Sequence, residues 1–382
     1  MVADKKDEIP DAQANDVSLR QTVRVSLGGS VLRVRFSNAF GTQPLRIDGA
    51  SVAIAAGPGR SDVAAASLHA LRFGGDSAVT IAAGSELSSD PVGLAHAAGA
   101  DIAVSMHIVA SPGRQTSHPG SRASTFYVAG NKVLDAAWPQ PHSTAHWYQL
   151  ADIEVQAAPP VHSVVAIGDS ITDGYGVPQD SNSRWTDFLA TRLRDAGIND
   201  IGVINAGIGG GRLLRDGLGP SMVSRFERDV LARDGISHAI VFIGINDLGG
   251  LHRSGQDTPE ARARLIADIE QAHRQLVAQA HQRGVCVIGA TITPHAGSGY
   301  YIRSPESESD RIALNQWIRS AGVFDGVIDF DAALRDPERP DFLRKQVDND
   351  GLHPSTTGYK AMADAVPLDL LKTCSRATAA MN

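Results

Sequence analysis

The 382-residue sequence contains only two cysteines, too few for the set of disulfide bonds that holds a small secreted scaffold together. Cys286 lies in the apolar segment GVCVIGA and is expected to be a buried thiol, whereas Cys374 lies in the C-terminal tail. No group of cysteines and histidines has the sequence spacing of a zinc site. We therefore expect neither a disulfide framework nor a bound metal.

Basic residues are outnumbered by acidic ones, 35 against 42, which gives a formal net charge of −7. Phosphate binding requires a basic stripe, and no run of Lys and Arg occurs, so the sequence argues against a nucleic-acid partner. Apolar runs are short as well, and none approaches the roughly 18 to 20 residues that span a bilayer. The fractions of apolar residues, 42%, and of charged residues, 20%, are those of an ordinary globular protein.

The N-terminal stretch MVADKKDEIPDAQANDVSLRQ is polar and acidic and lacks the apolar core of a signal peptide. Two interpretations stay open: a cytoplasmic protein, or an exported one whose leader is absent from this sequence. We expect residues 1–17 to form a flexible segment. The sequence favours no particular oligomeric state.

Two regions of the chain differ in their hydrophobic pattern. Between residues 18 and 157, segments such as TVRVSLGG, VLRVRFSN and DIAVSMHIVA alternate apolar and polar residues between turn formers, which predicts strands. No helix of any length is indicated there. We expect an all-β sandwich or jelly-roll domain, followed by a short linker at Pro159 and Pro160.

From residue 158 to 375 apolar strands alternate with helices. The strand-like segments are SVVAIG, IGVINAG, HAIVFIG, VCVIGATIT and GVIDF. The longest helical segment begins at a threonine followed by proline and ends at Gly284, which are good start and stop signals. This alternation predicts five parallel strands in a three-layer α/β/α sandwich. Ligands of such sheets bind outside the carboxyl ends of the strands.

Four short motifs lie at the ends of predicted strands or just before the last helix. They are GDS (168–170), NAGIGGGR (205–212), GIND (244–247) and DGLHP (350–354). Three have an ordinary structural explanation by themselves: Ser170 as a helix cap, Asn246 as a turn residue, and His353 as a capping or surface side chain. The glycine run could be a phosphate loop, but it fits neither the dinucleotide-binding nor the Walker A pattern. Their occurrence together in one sheet favours a catalytic site.

The four motifs resemble those of the GDSL, or SGNH, hydrolase family of esterases and lipases. The resemblance covers about residues 160 to 372, and Ile171 stands where the name-giving leucine would be. It implies a flavodoxin-like hydrolase domain that needs no cofactor. The site residues that it implies are Ser170 as nucleophile, Asp350 and His353 as the base pair, and Gly210 and Asn246 as oxyanion donors, with Gly209 as the alternative to Gly210.

Physical chemistry supports the same roles. A serine hydroxyl is a weak nucleophile and needs a base within hydrogen-bond reach. His353 would accept the proton of Ser170, while Asp350 would hold the other ring nitrogen and fix the tautomer. The backbone N–H groups of Ser170 and Gly210, with the Asn246 amide, would stabilise the oxyanion. A smaller group of polar residues is expected to brace loops instead: Asp169, Asn205 and Asp247.

The N-terminal region carries a second resemblance. The segments LRQTVRVSLGGSVLRVRFSNAFGTQPLRIDGASVA and HWYQLADIEV resemble the accessory β-domain of a two-domain bacterial subgroup of the family. Its relatives include arylesterases and xylan-associated acylhydrolases, and they are generally exported. The resemblance therefore implies a secreted or periplasmic protein with a non-catalytic β-domain.

Four residues of the predicted loops are candidates for substrate binding: Tyr175, Trp185, His295 and Tyr300. Aromatic faces offer apolar area with a polar tip and suit sugar rings, although such residues can also simply pack. We predict a serine carboxylester hydrolase that releases short acyl groups, acetyl above all, from carbohydrate or aryl esters. The alternatives are a thioesterase or lysophospholipase, and a catalytically dead carbohydrate-binding protein.

Overall fold

A computed structural model describes residues 1–3, 9, 14–157 and 161–374, so the predicted linker at 159–160 lies outside the described residues. The chain falls into two compact units. Unit 1 comprises residues 1–160 and 178–182, and unit 2 comprises residues 161–177 and 183–382.

Unit 1 consists of strands, and its only helical element among the described residues is a 3₁₀ turn, Ala65–Ser67. The strands are β1 (Val2–Ala3), β2 (Val17–Arg24), β3 (Gly29–Ser37), β4 (Leu45–Ile54), β5 (His69–Ala70), β6 (Val79–Ile81), β7 (Glu86–Ser88), β8 (Val92–His96), β9 (Asp101–Ile108), β10 (Thr116–His118), β11 (Thr125–Ala129), β12 (His142–Thr144), β13 (Trp147–Tyr148) and β14 (Leu150–Gln156). All of their pairings are antiparallel.

The strands of unit 1 form three sheets. The largest has the order β12-β11-β2-β9-β4-β5 with β6 also on β4, the second is β14-β3-β7 with β8 on β3, and the third is β1-β10-β13. Side chains such as Leu19, Val34 and Val104 are fully buried in one shared apolar core. The prediction of an all-β domain in this part of the chain is confirmed.

The N-terminal segment that we predicted to be flexible begins with strand β1. Val2 pairs with Ser117 of β10 and is buried. Residues 4–8 and 10–13 of that segment lie outside the described residues. The first residues of the segment are therefore part of a sheet, because Val2 pairs with strand β10.

Residues Pro178–Asn182 belong to unit 1 although the chain on either side of them belongs to unit 2. The carboxylate of Asp180 accepts hydrogen bonds from the backbone N–H of Ser124 at 2.7 Å and from its hydroxyl at 2.6 Å. The backbone N–H of Asp180 donates to the carbonyl of Arg122. The predicted hydrolase region of 158–375 is thus interrupted by five residues that the hydrophobic pattern does not distinguish.

Unit 2 is a five-stranded sheet with helices on both faces. Its strands are β15 (His162–Gly168), β16 (Ile201–Gly207), β17 (Ile236–Phe242), β18 (Cys286–Ala290) and β19 (Gly326–Ile328). Its helices are α1 (Ser170–Asp173), α2 (Trp185–Asp195), α3 (Met222–Phe226), α4 (Ile245–Ser254), α5 (Pro259–Gln282), α6 (Pro305–Ser320), α7 (Phe330–Leu334) and α8 (Thr356–Ala365), with a π-helical turn at Glu227–Leu231 and a 3₁₀ turn at Leu368–Leu371.

The sheet of unit 2 has the order β16-β15-β17-β18-β19, and every neighbouring pair is parallel. Successive strand residues face opposite layers. Val164 and Ile240 pack with α2, α7 and α8, while Val165 and Val241 pack with α3, α4, α5 and α6. Burial on both faces explains why these strands read as continuous apolar runs. The predicted three-layer α/β/α sandwich with five parallel strands is confirmed.

Register brings three of the strand ends together. Gly168, the last residue of β15, lies opposite Gly207 of β16 and Phe242 of β17. The loops that follow these residues therefore start at the same edge of the sheet, on adjacent strands. Among the described residues no helix is both long and apolar enough to cross a bilayer.

Cys286 and Cys374 form a disulfide bond with a Cα–Cα distance of 5.7 Å, so the prediction of a buried free thiol was wrong. The turn at Leu368–Leu371 brings the tail back to the start of β18. The two cysteines are 88 residues apart in the sequence, so their proximity could not be predicted from it. A ligand atom of His238 lies within 4.8 Å of both sulfur atoms. Because the sulfurs are bonded to each other, neither is a thiolate available to a metal ion.

His273, a buried histidine of α5, is expected to lower the stability of the folded protein in acid. Burial lowers the pKa of His273 to about 4, although the Ile269 carbonyl favours its charged form. The unfolded chain takes up this proton near pH 6.5 and the folded chain does not, so stability is full above that pH and falls as the pH drops towards 4. The resulting loss in the free energy of unfolding reaches about 2 kcal/mol at pH 5.

Replacing His273 by phenylalanine should therefore reduce the fall in melting temperature between pH 7 and pH 5. The ring of His273 packs against Trp317 and Phe324, where another aromatic ring fits. His69→Gln, at an exposed histidine of β5, is the control and should keep the wild-type pH dependence. If the melting temperature fell equally in wild type and His273→Phe between pH 7 and pH 5, His273 would not be the source of the acid sensitivity.

Candidate active site

Ser170 is the first residue of α1, two residues after the end of β15, which lies between β16 and β17 in the sheet. The helix cap is its neighbour Asp169, whose carboxylate accepts from the Ile171 N–H at 2.9 Å. This leaves the Ser170 hydroxyl free of the capping role. A Cβ on Gly168 would lie 2.6 Å from the carbonyl oxygen of Phe242. Only glycine lets the strand ends approach this closely.

The structure brings Ser170 together with His353 and Asp350. The hydroxyl of Ser170 lies 2.9 Å from Nε2 of His353, and Nδ1 of His353 lies 2.9 Å from Oδ2 of Asp350. The side chains of Ser170 and His353 are both buried, at 8% and 4% exposure. An alcohol, an imidazole and a carboxylate are thus connected in one hydrogen-bonded chain, the arrangement that activates a serine.

Asp350 fixes the orientation of the imidazole. Burial alone would raise the pKa of Asp350, but hydrogen bonds from the backbone N–H and imidazole of His353 hold this pKa below its ordinary value. The carboxylate is therefore ionised at neutral pH and accepts a hydrogen bond from Nδ1–H. Nε2 then carries a lone pair directed at the Ser170 hydroxyl and can accept a proton from it.

Of the three adjacent glycines after β16, one offers a backbone N–H without a partner among the described residues. The N–H of Gly209 donates to Asp173 at 3.1 Å, and that of Gly211 donates to the carbonyl of Ile208 at 2.9 Å. Within residues 161–374, the N–H of Gly210 has no hydrogen-bond partner, and its φ of +65° favours glycine. This geometry favours Gly210 over Gly209 as an oxyanion donor.

Asn246 lies in the first turn of α4, beyond the end of β17. Its amide nitrogen donates to the carbonyl oxygen of Gly211 at 2.8 Å, and its amide oxygen accepts from the hydroxyl of Tyr301. An amide nitrogen carries two protons. The second proton of Asn246 is available to a ligand.

The three residues predicted to brace loops do so. The carboxylate of Asp247 accepts from the N–H groups of Leu213 and Leu214, and Asp169 caps α1. Burial raises the pKa of both carboxyls, to about 7 for Asp169. The amide of Asn205 donates to the carbonyl of Thr172 and accepts from the N–H of Gly207.

Two of the four candidate substrate-binding residues, Tyr175 and Tyr300, lie against the imidazole of His353. The ring of Tyr175 lies 4.1 Å from that of His353, centroid to centroid, and the ring of Tyr300 meets it edge-on at 5.9 Å. Their hydroxyl groups are 3.1 Å apart. Both tyrosines are exposed, Tyr175 by 36% and Tyr300 by 47%, so they can contact a substrate.

The other two candidates, Trp185 and His295, are buried, and their role in substrate binding stays a prediction. Trp185, at 0% exposure, packs edge-on against Phe330 in the core beneath the sheet. His295 is buried beside Ser307, and burial together with the charge of Arg311 lowers its pKa to about 4.

Two residues of the site region were missed in the sequence. Tyr301 contacts Asn246 as described above. Arg225 of α3 is buried and donates to the carbonyl oxygens of Gly168, at 2.8 Å, and Ala206, at 2.7 Å. It ties the ends of β15 and β16 together and pairs with Asp229. Its position within the charged segment SRFERD gave no signal of burial.

Asn246→Ala is expected to lower kcat by about 10²–10³, the usual effect of removing one oxyanion donor. KM for a small ester should change little, because the amide would contact the negative charge that develops only in the transition state. Initial rates over a range of substrate concentrations separate the two constants. A variant within threefold of the wild-type kcat would exclude this role for Asn246.

The GDSL-like lipase/acylhydrolase family model matches residues 166–361, slightly more than half of the chain. A GDSL-like lipase from Bacteroides thetaiotaomicron is similar in structure, with 20% identity over 56% of this chain and 92% of its own and a TM-score of 0.41. An acetylxylan esterase from Geobacillus stearothermophilus has 19% identity over 56% of this chain and 94% of its own, with a TM-score of 0.41. The chain matches no curated protein sequence. On the family match, which spans the serine, glycine, asparagine and histidine motifs, the chain belongs to the GDSL-like lipase/acylhydrolase family and is an ester hydrolase.

Proposed function

We propose that the protein is a serine carboxylester hydrolase that releases short acyl groups, acetyl above all, from carbohydrate or aryl esters through an acyl-enzyme. The observation that carries the proposal is the chain of hydrogen bonds from Ser170 through His353 to Asp350. It supplies a nucleophile, a base and an orienting carboxylate within unit 2, without requiring a cofactor.

In the acylation step, Nε2 of His353 removes the proton of Ser170 as Oγ forms a bond to the ester carbonyl carbon. The carbonyl π electrons move to the oxygen, and the N–H groups of Ser170 and Gly210 and the amide of Asn246 donate to it. Collapse of this intermediate breaks the bond to the alcohol oxygen, which takes the proton from His353. Asp350 stabilises the imidazolium between these two transfers.

In the deacylation step, water replaces the alcohol. His353 removes a proton from the water as its oxygen attacks the acyl carbon, and the same three donors stabilise the second oxyanion. Breaking the bond to Oγ releases the carboxylic acid and returns the proton to Ser170. The enzyme is regenerated with its hydrogen bonds restored.

Tyr175 and Tyr300 support a substrate with a sugar or aryl ring. Both side chains are exposed at the catalytic histidine and combine an apolar face with a hydroxyl group. Such surfaces pack against the flat, partly apolar face of a ring while the hydroxyls form hydrogen bonds. We propose that they contact the alcohol half of the ester.

A series of aryl esters tests the proposed acyl length. We expect the highest kcat/KM for acetyl or propionyl and a clear decline by octanoyl, measured as release of the aryl alcohol at a fixed pH. Acetate release from an acetylated polysaccharide or oligosaccharide is expected as well. Maximal activity at octanoyl or longer would overturn the short-chain assignment, and acetate release from none of a panel of acetylated glycans would overturn the carbohydrate assignment.

A further inference from the structure

The amide of Asn246 is held at both of its ends. Its nitrogen donates to the Gly211 carbonyl oxygen at 2.8 Å, and its oxygen accepts from the Tyr301 hydroxyl. A carbonyl oxygen can only accept, so Gly211 requires the nitrogen on its side. The amide oxygen then faces Tyr301, whose hydroxyl must donate. The two contacts allow only one of the two orientations that differ by exchange of the amide oxygen and nitrogen.

Tyr301 is itself fixed against helix α4. A Cβ on Gly249 would lie 2.3 Å from Cδ1 of the tyrosine ring, so the ring packs directly on the helix backbone. Gly249 follows Asn246 by three residues and therefore shares its helix face. The buried His295 meets the ring of Tyr301 edge-on with a centroid distance of 6.2 Å. These contacts restrict the direction of the hydroxyl group.

The hydroxyl of Tyr301 remains a donor over the whole working range of pH. Burial, reinforced by the negative charge of Asp169, raises its pKa to about 12. The tyrosine is therefore protonated at neutral pH. A donor bound to an amide oxygen also polarises the amide and strengthens its N–H groups as donors.

We propose that Tyr301 is a positioning residue that orients the amide of Asn246 towards the oxyanion. The inference rests on the proposed function. With the amide oxygen occupied and one N–H bonded to Gly211, the remaining N–H of Asn246 has a single fixed direction. A donor held in place before reaction stabilises the transition state without reorganising, which is the main source of its effect on rate.

Tyr301→Phe tests this role because it removes the hydroxyl and keeps the ring. We expect kcat to fall by about tenfold, the rate equivalent of one ordinary hydrogen bond, while KM changes by less than about twofold. The inhibition constant of an aryl boronic acid, which forms a tetrahedral adduct with the serine, should rise by a similar factor. An unchanged kcat and inhibition constant would overturn the inference.

A double-mutant cycle distinguishes positioning from a general structural effect. If Tyr301 acts through Asn246, then Tyr301→Phe should cause no further loss of kcat in the Asn246→Ala background. Tyr359→Phe is the matched control, because it also removes a buried hydroxyl of unit 2, one that donates to the carbonyl of Tyr175. Any effect of Tyr359→Phe should be the same in both backgrounds. If Tyr301→Phe still lowered kcat tenfold in the Asn246→Ala background, the inference would be overturned.

Gly249→Ala gives an independent perturbation of the same contact. Alanine normally stabilises a helix relative to glycine, but here its methyl group must displace the ring of Tyr301. We expect a loss of kcat similar to that of Tyr301→Phe, with no added loss when the two changes are combined. Wild-type kcat in Gly249→Ala would contradict the proposal. If Ser170→Ala retained activity, the proposed function would fail instead, which keeps the two failures distinguishable.

Discussion

Replacing Ser170 by alanine is expected to abolish ester hydrolysis and to leave the fold intact. The change removes the atom that would attack the ester, while the helix cap stays in place because Asp169 supplies it. In serine hydrolases the loss of the nucleophile costs about 10⁶ in kcat. Release of an aryl alcohol from an acetyl ester measures the activity, and the melting temperature should stay within a few degrees of wild type.

Ser307→Ala is a close control for this experiment. The hydroxyl of Ser307 lies 3.1 Å from Nε2 of His295, so unit 2 contains a second buried serine–histidine contact. It lacks a carboxylate on the other ring nitrogen among the described residues, and Nδ1 of His295 has no partner there. A fluorophosphonate should label Ser170 and leave Ser307 unmodified. Labelling of Ser307, or wild-type rates in Ser170→Ala, would disprove the assignment.

Asp350→Asn is expected to lower kcat by about 10⁴ through the wrong histidine tautomer. An asparagine in this position can donate to Nδ1 of His353, which would place the ring proton on Nε2 and leave no lone pair for Ser170. The low pKa of Asp350 means that the native carboxylate is ionised well below neutral pH. The kcat of Asp350→Asn should therefore stay below that of wild type at every pH from 6 to 8.

Asp348→Asn is the matched control, because Asp348 lies in the same loop and its Oδ1 accepts from the N–H of Gly351 at 2.7 Å. Asparagine keeps that acceptor, so kcat should stay within a few-fold of wild type. Equal losses in the two variants would mean that Asp350 acts by shaping the loop. In that case the tautomer explanation would be incorrect.

The grouping of the four motifs at one edge of the sheet could be predicted because each motif follows a strand end or precedes a helix that the sequence marks clearly. Gly168 ends the continuous apolar run VVAIG, and Asn246 follows the run HAIVFIG. Parallel strands gather their carboxyl ends at one edge. The partners Ser170 and His353 are 183 residues apart in the chain, yet their positions relative to strands suffice to group them.

The direction of side chains in the surrounding loops was not predictable in the same way. Tyr300 and Tyr301 are neighbours of the same type, but Tyr300 is 47% exposed whereas the ring of Tyr301 packs on Gly249. Trp185 begins a helix near the site and points into the core. A loop lacks the regular periodicity by which a helix or strand directs its side chains to one face or the other. The direction of each loop side chain therefore depends on its packing partners, which are distant in sequence.

The bond between Cys286 and Cys374 changes how the chain transmits mechanical force. A pull on the two ends of the chain passes across this covalent link and bypasses the 88-residue span between the two cysteines. About 300 Å of contour length, at roughly 3.4 Å per residue, is thereby hidden from extension. The hidden span carries Asp350, His353 and Tyr301, whereas Ser170, Gly210 and Asn246 lie on the extensible part. Stretching a single molecule would thus unravel strand β15, which precedes Ser170, while His353 remained inside a closed covalent ring. Added reductant would lengthen the fully extended chain by that amount.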